Sequence, residues 1–384
     1  MNRGDEAGLD NERPTLLFNY YVKDAIITET TESGKPRVRF AASEVTQDLH
    51  DNSVTLTAVR ADYLLLDEHS ETAGAGDEAT RGTQNNAHRV SQGDHWVLNA
   101  DQATIPSQSK EGSNRIYLRG NVDAHSVDAP HSASLSTQLL NINMDQRTAQ
   151  TDSPVRVDID GHSAHGRGLF VDMQKNHVQL NSEVTLRMAA LPRNASPNAS
   201  KRKSATEQLS IPDLFEADRF DYTDNDIVLT KVRTKSEPFI SADQARAAGA
   251  DLANNQVVLQ GSVRMEVPNK GLITADQAIV TVRNSRIVHA QLTGAPVNFQ
   301  TKRKGTDELI RGRGTTIDYD VPTQMVRFLG EAWFSKGKYE FTSDSIEYNL
   351  VTESAQGGHS RIVVTPRKDE PAAPTPAPGS ESTK

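Results

Sequence analysis

Ala242-Asp243-Gln244-Ala245, followed by Val257-Val258-Leu259-Gln260-Gly261-Ser262-Val263, is one copy of a pattern that recurs along the chain. Ala100-Asp101-Gln102-Ala103 precedes Ile116-Tyr117-Leu118-Arg119-Gly120-Asn121-Val122 in the same way, and Ala275-Asp276-Gln277-Ala278 leads to Leu292-Thr293-Gly294-Ala295-Pro296-Val297. Weaker copies begin at Ala61-Asp62, Ala217-Asp218 and Ser343-Asp344, and two variants share Gly166-Arg167-Gly168 and Gly312-Arg313-Gly314. Asp218, Asp243 and Asp276 lie 25 and 33 residues apart, and Arg313 and Asp344 lie 31 apart. A unit of that length fits two strands and their turns.

The segments around these pairs alternate with period two. In Thr315-Thr316-Ile317-Asp318-Tyr319 and Asp344-Ser345-Ile346-Glu347-Tyr348 the apolar side chains fall on one face and the polar ones on the other. Met325-Val326-Arg327-Phe328-Leu329-Gly330 alternates as well. No segment sustains a helical repeat, and Gly, Asn, Asp and Ser clusters punctuate the chain every ten residues or so. The expected fold is all-β, built of stacked antiparallel hairpins.

Composition bounds the chemistry. The 384 residues include no cysteine and 35% from the set AVILMFWYC, with 42 Lys and Arg against 51 Asp and Glu for a net charge of −9. The missing cysteines exclude disulfides, thiolate metal sites and cysteine nucleophiles. The negative balance and the lack of a basic stripe argue against nucleic acid as a partner. No apolar run approaches a membrane span, and Met1 to Pro14 lacks the apolar core of a signal peptide. A modest apolar fraction spread over many hairpins predicts a thin interior shared among small units.

Composition shifts predict the organisation: a disordered 1–14, a first β unit over 15–188, a linker over 189–211, a second β unit over 212–366 and a Pro-rich disordered tail over 367–384. Ser70 to Ser91 reads as a long loop within the first unit.

Aligning the copies places one set of side chains on a common interior. In the first unit these are Ile105, Leu118, Val122, Leu140, Ile142 and Val171; next come Phe220 and Tyr222; then Val257, Leu259, Val263, Val280, Ile317, Tyr319, Phe328, Ile346 and Tyr348. They form either the closed core of a sandwich or barrel, or an apolar groove between two sheets that suits acyl chains. The Asp of each Ala-Asp pair recurs once per hairpin, which points to a turn-forming residue at the start of a strand rather than a catalytic carboxylate. His162 and His165 fall on opposite faces of a strand and cannot share a metal. No phosphate loop, nucleophile elbow or zinc-protease motif occurs, so neither cofactor nor catalytic residue is expected. Lys302-Arg303-Lys304, Arg311 and Arg313 could meet anionic head groups, although solvated loop charge explains them more simply.

The first unit resembles the periplasmic domain of LptC proteins through Trp96-Val97-Leu98-Asn99-Ala100-Asp101-Gln102-Ala103, Tyr117-Leu118-Arg119-Gly120-Asn121-Val122, Leu135-Ser136-Thr137, Thr151-Asp152-Ser153-Pro154-Val155 and Gly166-Arg167-Gly168-Leu169. The second resembles LptA proteins through Ala242-Asp243-Gln244, Leu259-Gln260-Gly261-Ser262-Val263, Ile273-Thr274-Ala275-Asp276, Gly294-Ala295-Pro296-Val297-Asn298-Phe299 and Gly330-Glu331-Ala332. The resemblance implies two consecutive OstA-like β-jellyrolls in a periplasmic, non-enzymatic carrier of lipopolysaccharide. An inner-membrane ATP-binding-cassette transporter would meet the N-terminal jellyroll edge, near Phe18 to Thr28. An outer-membrane translocon or another LptA-like copy would meet the C-terminal edge, near Tyr339 to Asn349. A structural or polysaccharide-binding β-repeat protein with a closed core is the alternative.

Overall fold

The computed structural model describes residues 18–30, 36–64, 95–107, 114–127, 132–159, 161–175, 177–188, 209–223, 226–249, 252–358 and 361–364. The expected loop at Ser70 to Ser91, the tails at 1–14 and 367–384, and residues 189–208 of the expected linker lie outside them. Among the described residues every regular element is a strand, and each strand pairing described below is antiparallel. This is the all-β architecture that the period-two alternation requires.

Packing divides the chain into two units, Met1–Ala189 with Asp218–Asp224, and Ala190–Ala217 with Asn225–Lys384. The first holds β1 (Phe18–Thr30), β2 (Pro36–Asp48), β3 (Val54–Leu64), β4 (His95–Ile105), β5 (Arg115–Val127), β6 (Ala133–Asn143), β7 (Thr148–Ile159), β8 (His162–Asp172) and β9 (His177–Arg187). Each pairs with the next, and β11 (Arg219–Thr223) pairs with β9.

The second unit opens with β10 (Leu214–Ala217), which pairs with β12 (Asp226–Thr234). The meander continues through β13 (Phe239–Ala248), β14 (Gln256–Val267), β15 (Gly271–Arg283), β16 (Arg286–Lys302), β17 (Leu309–Asp320), β18 (Met325–Lys336) and β19 (Tyr339–Asn349). Two short strands, β20 (Ser354–Gly357) and β21 (Arg361–Val364), both pair with β19. Leu209 to Ile211, within the span expected as linker, bonds along the β15–β16 turn of this unit: Ile287 N donates to Leu209 O at 2.8 Å and Ile211 N to Ser285 O at 3.1 Å.

From β4 to β9 and from β13 to β19 the ladders are interrupted near mid-strand. The ladders slip between Asn99 and Gln102, Arg119 and Val122, and Thr151 and Pro154 in the first unit, and between Gln260 and Val263, Thr274 and Gln277, and Leu329 and Ala332 in the second. Bulges bend a strand and strengthen its twist. A row of them makes a crease at which these strands bend from one layer to the other.

Ring contacts demonstrate the bend in the second unit. Phe328 and Phe334 are six residues apart on β18, about 20 Å along a straight strand, yet their ring centroids are 6.1 Å apart. Phe299 and Phe328, from opposite sides of the crease, meet edge to face at 5.6 Å. Gly312 makes room for this contact, because a Cβ there would sit 2.3 Å from Phe328 Cε1.

The repeated Ala-Asp pairs build the crease, which corrects their expected place at strand starts. Asp101 and Asp243 lie inside β4 and β13, beside the left-handed Gly120-Asn121 and Gly261-Ser262 steps of the neighbouring strands. Asn121 Nδ2 donates to Asp101 Oδ2 at 2.9 Å and Ser262 Oγ to Asp243 Oδ2 at 3.1 Å. Asp276, in β15, accepts from Ala295 N at 3.3 Å. The two Gly-Arg-Gly motifs likewise lie within β8 and β17 rather than at strand starts. The residues that tolerate turns are also those that tolerate bulges, so the sequence signal is shared.

Candidate functional site

The candidate site is the interior between the two halves of the creased strands. In the second unit the register collects most of the expected residues into two adjacent rows. Val257, Val280, Ala290, Tyr319, Val326 and Tyr348 stand opposite one another in turn across six strands. Leu259, Ala278, Leu292, Ile317, Phe328 and Ile346 form the next row. Val263 lies beyond the crease, opposite Ala275. Of these, Ile317 and Phe328 are 0% exposed, Tyr348 1% and Tyr319 4%; Val257 is half-buried.

The first unit repeats the arrangement more loosely. Leu118 and Leu140 are paired and buried, as is Val122 beyond the crease. Ile142, Ala149, Val171, Val178 and Tyr222 form one row, and Phe220 extends the row of Leu169 and Leu180. Ile105, Ile142, Val171, Phe220 and Tyr222 are half-buried. A thin interior that leaves these apolar groups partly in water is what the modest apolar fraction predicts.

Sequence reasoning missed part of the facing layer. Phe334, Ile310 and Met265 are buried to within 1% of full, and Phe299 is 3% exposed. Phe334 was detectable, since it continues the period-two series Ala332, Phe334 beyond the glycine. Phe299, Phe328, Phe334, Phe341 and Tyr348 form a chain of ring contacts with centroids 5.0–6.2 Å apart. This end of the interior is filled by protein; beside it, Met265, Ile273, Phe299, Tyr319, Val326 and Leu350 line a void of about 20 Å³, no larger than one water.

The polar chemistry of the interior is sparse. Tyr319 Oη is buried without a well-formed hydrogen bond, and burial, only partly offset by the Gln324 side chain, pushes its phenol up to about 12. Burial does the same to Tyr348, also to about 12. No group of three His, Asp or Glu side chains fit to hold a metal occurs among the described residues. Three of the candidate basic residues are engaged: Lys302 bonds Asp307 at 3.0 Å, Arg303 bonds Glu308 at 3.0 Å, and Arg313 lies over the Trp333 ring at 5.2 Å. What the site offers is a series of similar apolar positions.

The outer strands of the two units differ. β1 pairs only with β2 in the described residues, and Tyr20, Tyr21, Val22, Ile26 and Ile27 on it are 37–60% exposed. In the second unit β19 is not the free edge expected at Tyr339 to Asn349. β20 covers Ile346–Asn349 and β21 covers Tyr339–Thr342. Both strands are four residues long with no buried side chain, so they carried no alternation signal.

Comparison with known families follows the same division. Residues 10–189 match the family described as lipopolysaccharide-assembly, LptC-related, and residues 240–354 match the family described as LptA/(LptD N-terminal domain) LPS transport protein. The chain joins an LptC-related domain to an LptA-like one. No curated protein matches it. Among solved structures it is similar to LptH, the LptA-homologous periplasmic component of the lipopolysaccharide transport device of Pseudomonas aeruginosa, at 17% identity and a TM-score of 0.30 over 33% of this chain and 94% of that one. The LptC-related match spans β1 to β9, and the LptA-like match spans β13 to the start of β20.

Proposed function

We propose that the chain is a non-enzymatic periplasmic carrier that takes lipopolysaccharide from an inner-membrane ATP-binding-cassette transporter and passes it toward an outer-membrane translocon. The LptC-like unit receives the lipid and the LptA-like unit hands it on, with the acyl chains between the two layers and the sugar at the seam. The observation that carries this reading is the pair of interior rows in the second unit, in which near-equivalent aliphatic and aromatic positions recur strand after strand. Successive sites of similar depth let a lipid move, whereas one deep well would hold it.

Energetics favour a ligand with several chains. Each buried CH₂ contributes about 0.8 kcal/mol, and re-exposing a buried aromatic or branched side chain costs about 1.5–3 kcal/mol. Parting the rings of Phe299, Phe328, Phe334 and Tyr348 thus consumes most of what one acyl chain supplies. Additional chains entering the parted layers meet no such cost. Charge contributes little to the attraction at a net −9.

Strand addition supplies the docking. The open edge of β1 receives the transporter's periplasmic partner. The C-terminal edge at β19, once its short cap of β20 and β21 gives way, receives the translocon or another LptA-like copy. The filled aromatic end favours a second reading, a structural or polysaccharide-binding protein with a sealed core. Native mass spectrometry of the chain purified from lipopolysaccharide-producing cells separates them. A carrier emerges with lipid adducts; a sealed core emerges without any.

A further inference from the structure

The outer face of the LptC-like unit holds a row unlike its neighbours. Asn141, Gln150, Phe170 and Gln179 stand opposite one another across β6, β7, β8 and β9. With Asp152 and Asn181, and with Thr151 and Leu169 at its floor, they line a hollow of about 310 Å³, within the size range of small-molecule sites. Period two puts this row on the face opposite the interior row of Ala149, Val171 and Val178. Its ligand is therefore not an acyl chain between the layers.

The groups around the hollow are half positioned and half unspent. Arg219 Nη2 donates to Gln179 Oε1 at 2.7 Å, the same guanidinium clasps Asp221 through Nε at 2.7 Å, and His177 meets Phe170 edge-on at 6.0 Å. Gln179 Nε2 in turn donates to Asn181 Oδ1. The side chains of Asn141, Gln150 and Asp152 have no hydrogen-bond partner in the described residues. A comparable outer row in the second unit is self-satisfied: His289 contacts Asp318 at 2.8 Å, and Glu347 accepts from Arg327 at 2.9 Å and from Gln356 at 2.8 Å.

We infer that this hollow is a saccharide-binding site. A pyranose ring has an apolar C–H face and a rim of hydroxyls that both donate and accept. Phe170 supplies an aromatic surface for the first, and carboxamides, which also donate and accept, supply partners for the second. Asp152 adds an acceptor for paired hydroxyls, and uncharged amides suit a neutral polyol better than an anion. Four hydrogen-bonded strands hold the groups in place, as a site of modest affinity needs. The inference does not rest on the acyl-chain reading, because its ligand carries no acyl chain.

The test follows the side-chain amide signals of Asn141, Gln150, Gln179 and Asn181 in the full chain by NMR during titration with two probes. One is a β-1,4-linked N-acetylglucosamine tetramer; the other is lipopolysaccharide sugar freed of its acyl chains. The expected result is saturable shifts of these signals with at least one probe, and affinity lowered about tenfold in Gln150→Ala, an exposed position whose truncation leaves the fold intact. Response to the tetramer alone assigns the site to glycan strands, and response to the acyl-free sugar alone assigns it to the transported lipid's own head. Unmoved amide signals with both probes, or unchanged affinity in Gln150→Ala, would overturn the inference.

Discussion

Replacing Phe328 by alanine should lower stability and raise affinity together. The ring is fully buried and contacts Phe299 and Phe334 across the crease, with centroids 5.6 and 6.1 Å away. Truncation leaves a cavity and costs about 3–5 kcal/mol of unfolding free energy. The same ring must be displaced before an acyl chain can enter, so its loss removes about 2 kcal/mol of opening cost. That corresponds to about thirtyfold tighter binding of a single-chain probe. Urea titration of the intact chain measures the first quantity, and displacement of a fluorescent dodecyl amphiphile measures the second. If Phe328→Ala weakens probe binding along with stability, the ring contributes more to holding the ligand than to closing the interior, and the reasoning from an opening cost fails.

Three further outcomes follow from the same geometry. Gly261→Ala should destabilise by about 1–3 kcal/mol, because φ there is +72° and a Cβ would sit 2.4 Å from Asp243 Oδ2; adding Asp243→Ala should restore only the steric part, and full restoration in denaturant titrations would remove backbone conformation from the explanation. With Tyr319 and Tyr348 raised to about 12, the folded state keeps protons that the unfolded state releases above pH 10. Stability should therefore be level below pH 10 and fall between pH 10 and 12, by up to about 1.4 kcal/mol per pH unit for each tyrosine. Tyr319→Phe should halve that slope and, by deleting a hydroxyl without a well-formed hydrogen bond, add about 1 kcal/mol at neutral pH; an unchanged slope in urea titrations at pH 8 and 11 contradicts the assignment. Ending the chain after Gly358 should cost little stability, since Ile362, Val363 and Val364 remain 45–56% exposed on β19, and it should increase strand-mediated association. Sedimentation velocity that shows weaker association after truncation would make β21 the docking strand rather than a cap.

The fold was legible in the sequence because period-two alternation is a direct record of two faces, as in Ile317-Asp318-Tyr319. The interior rows followed from the same record. The crease was misread, since Asp243, Gly261 and Ser262 are residue types shared by turns and bulges, and only pairing with a neighbour tells them apart. The contact between Phe299 and Phe328 was invisible, because alternation says which face a residue occupies but not which residue it meets across the layers. β20 and β21 were missed for a simpler reason. Strands of four exposed residues bury nothing, so Ser354-Ala355-Gln356-Gly357 and Arg361-Ile362-Val363-Val364 carry no pattern of one face against the other.

The central claim is that lipid occupies the interior rows of both units. Photo-crosslinking amino acids at Leu118, Leu259, Tyr319 and Phe328, with Arg119 and Asp318 as outward controls, test it in cells that make lipopolysaccharide. The account predicts lipopolysaccharide adducts at the four interior positions and none at the two controls. Equal labelling at both sets, or no labelling at the interior set, would contradict it.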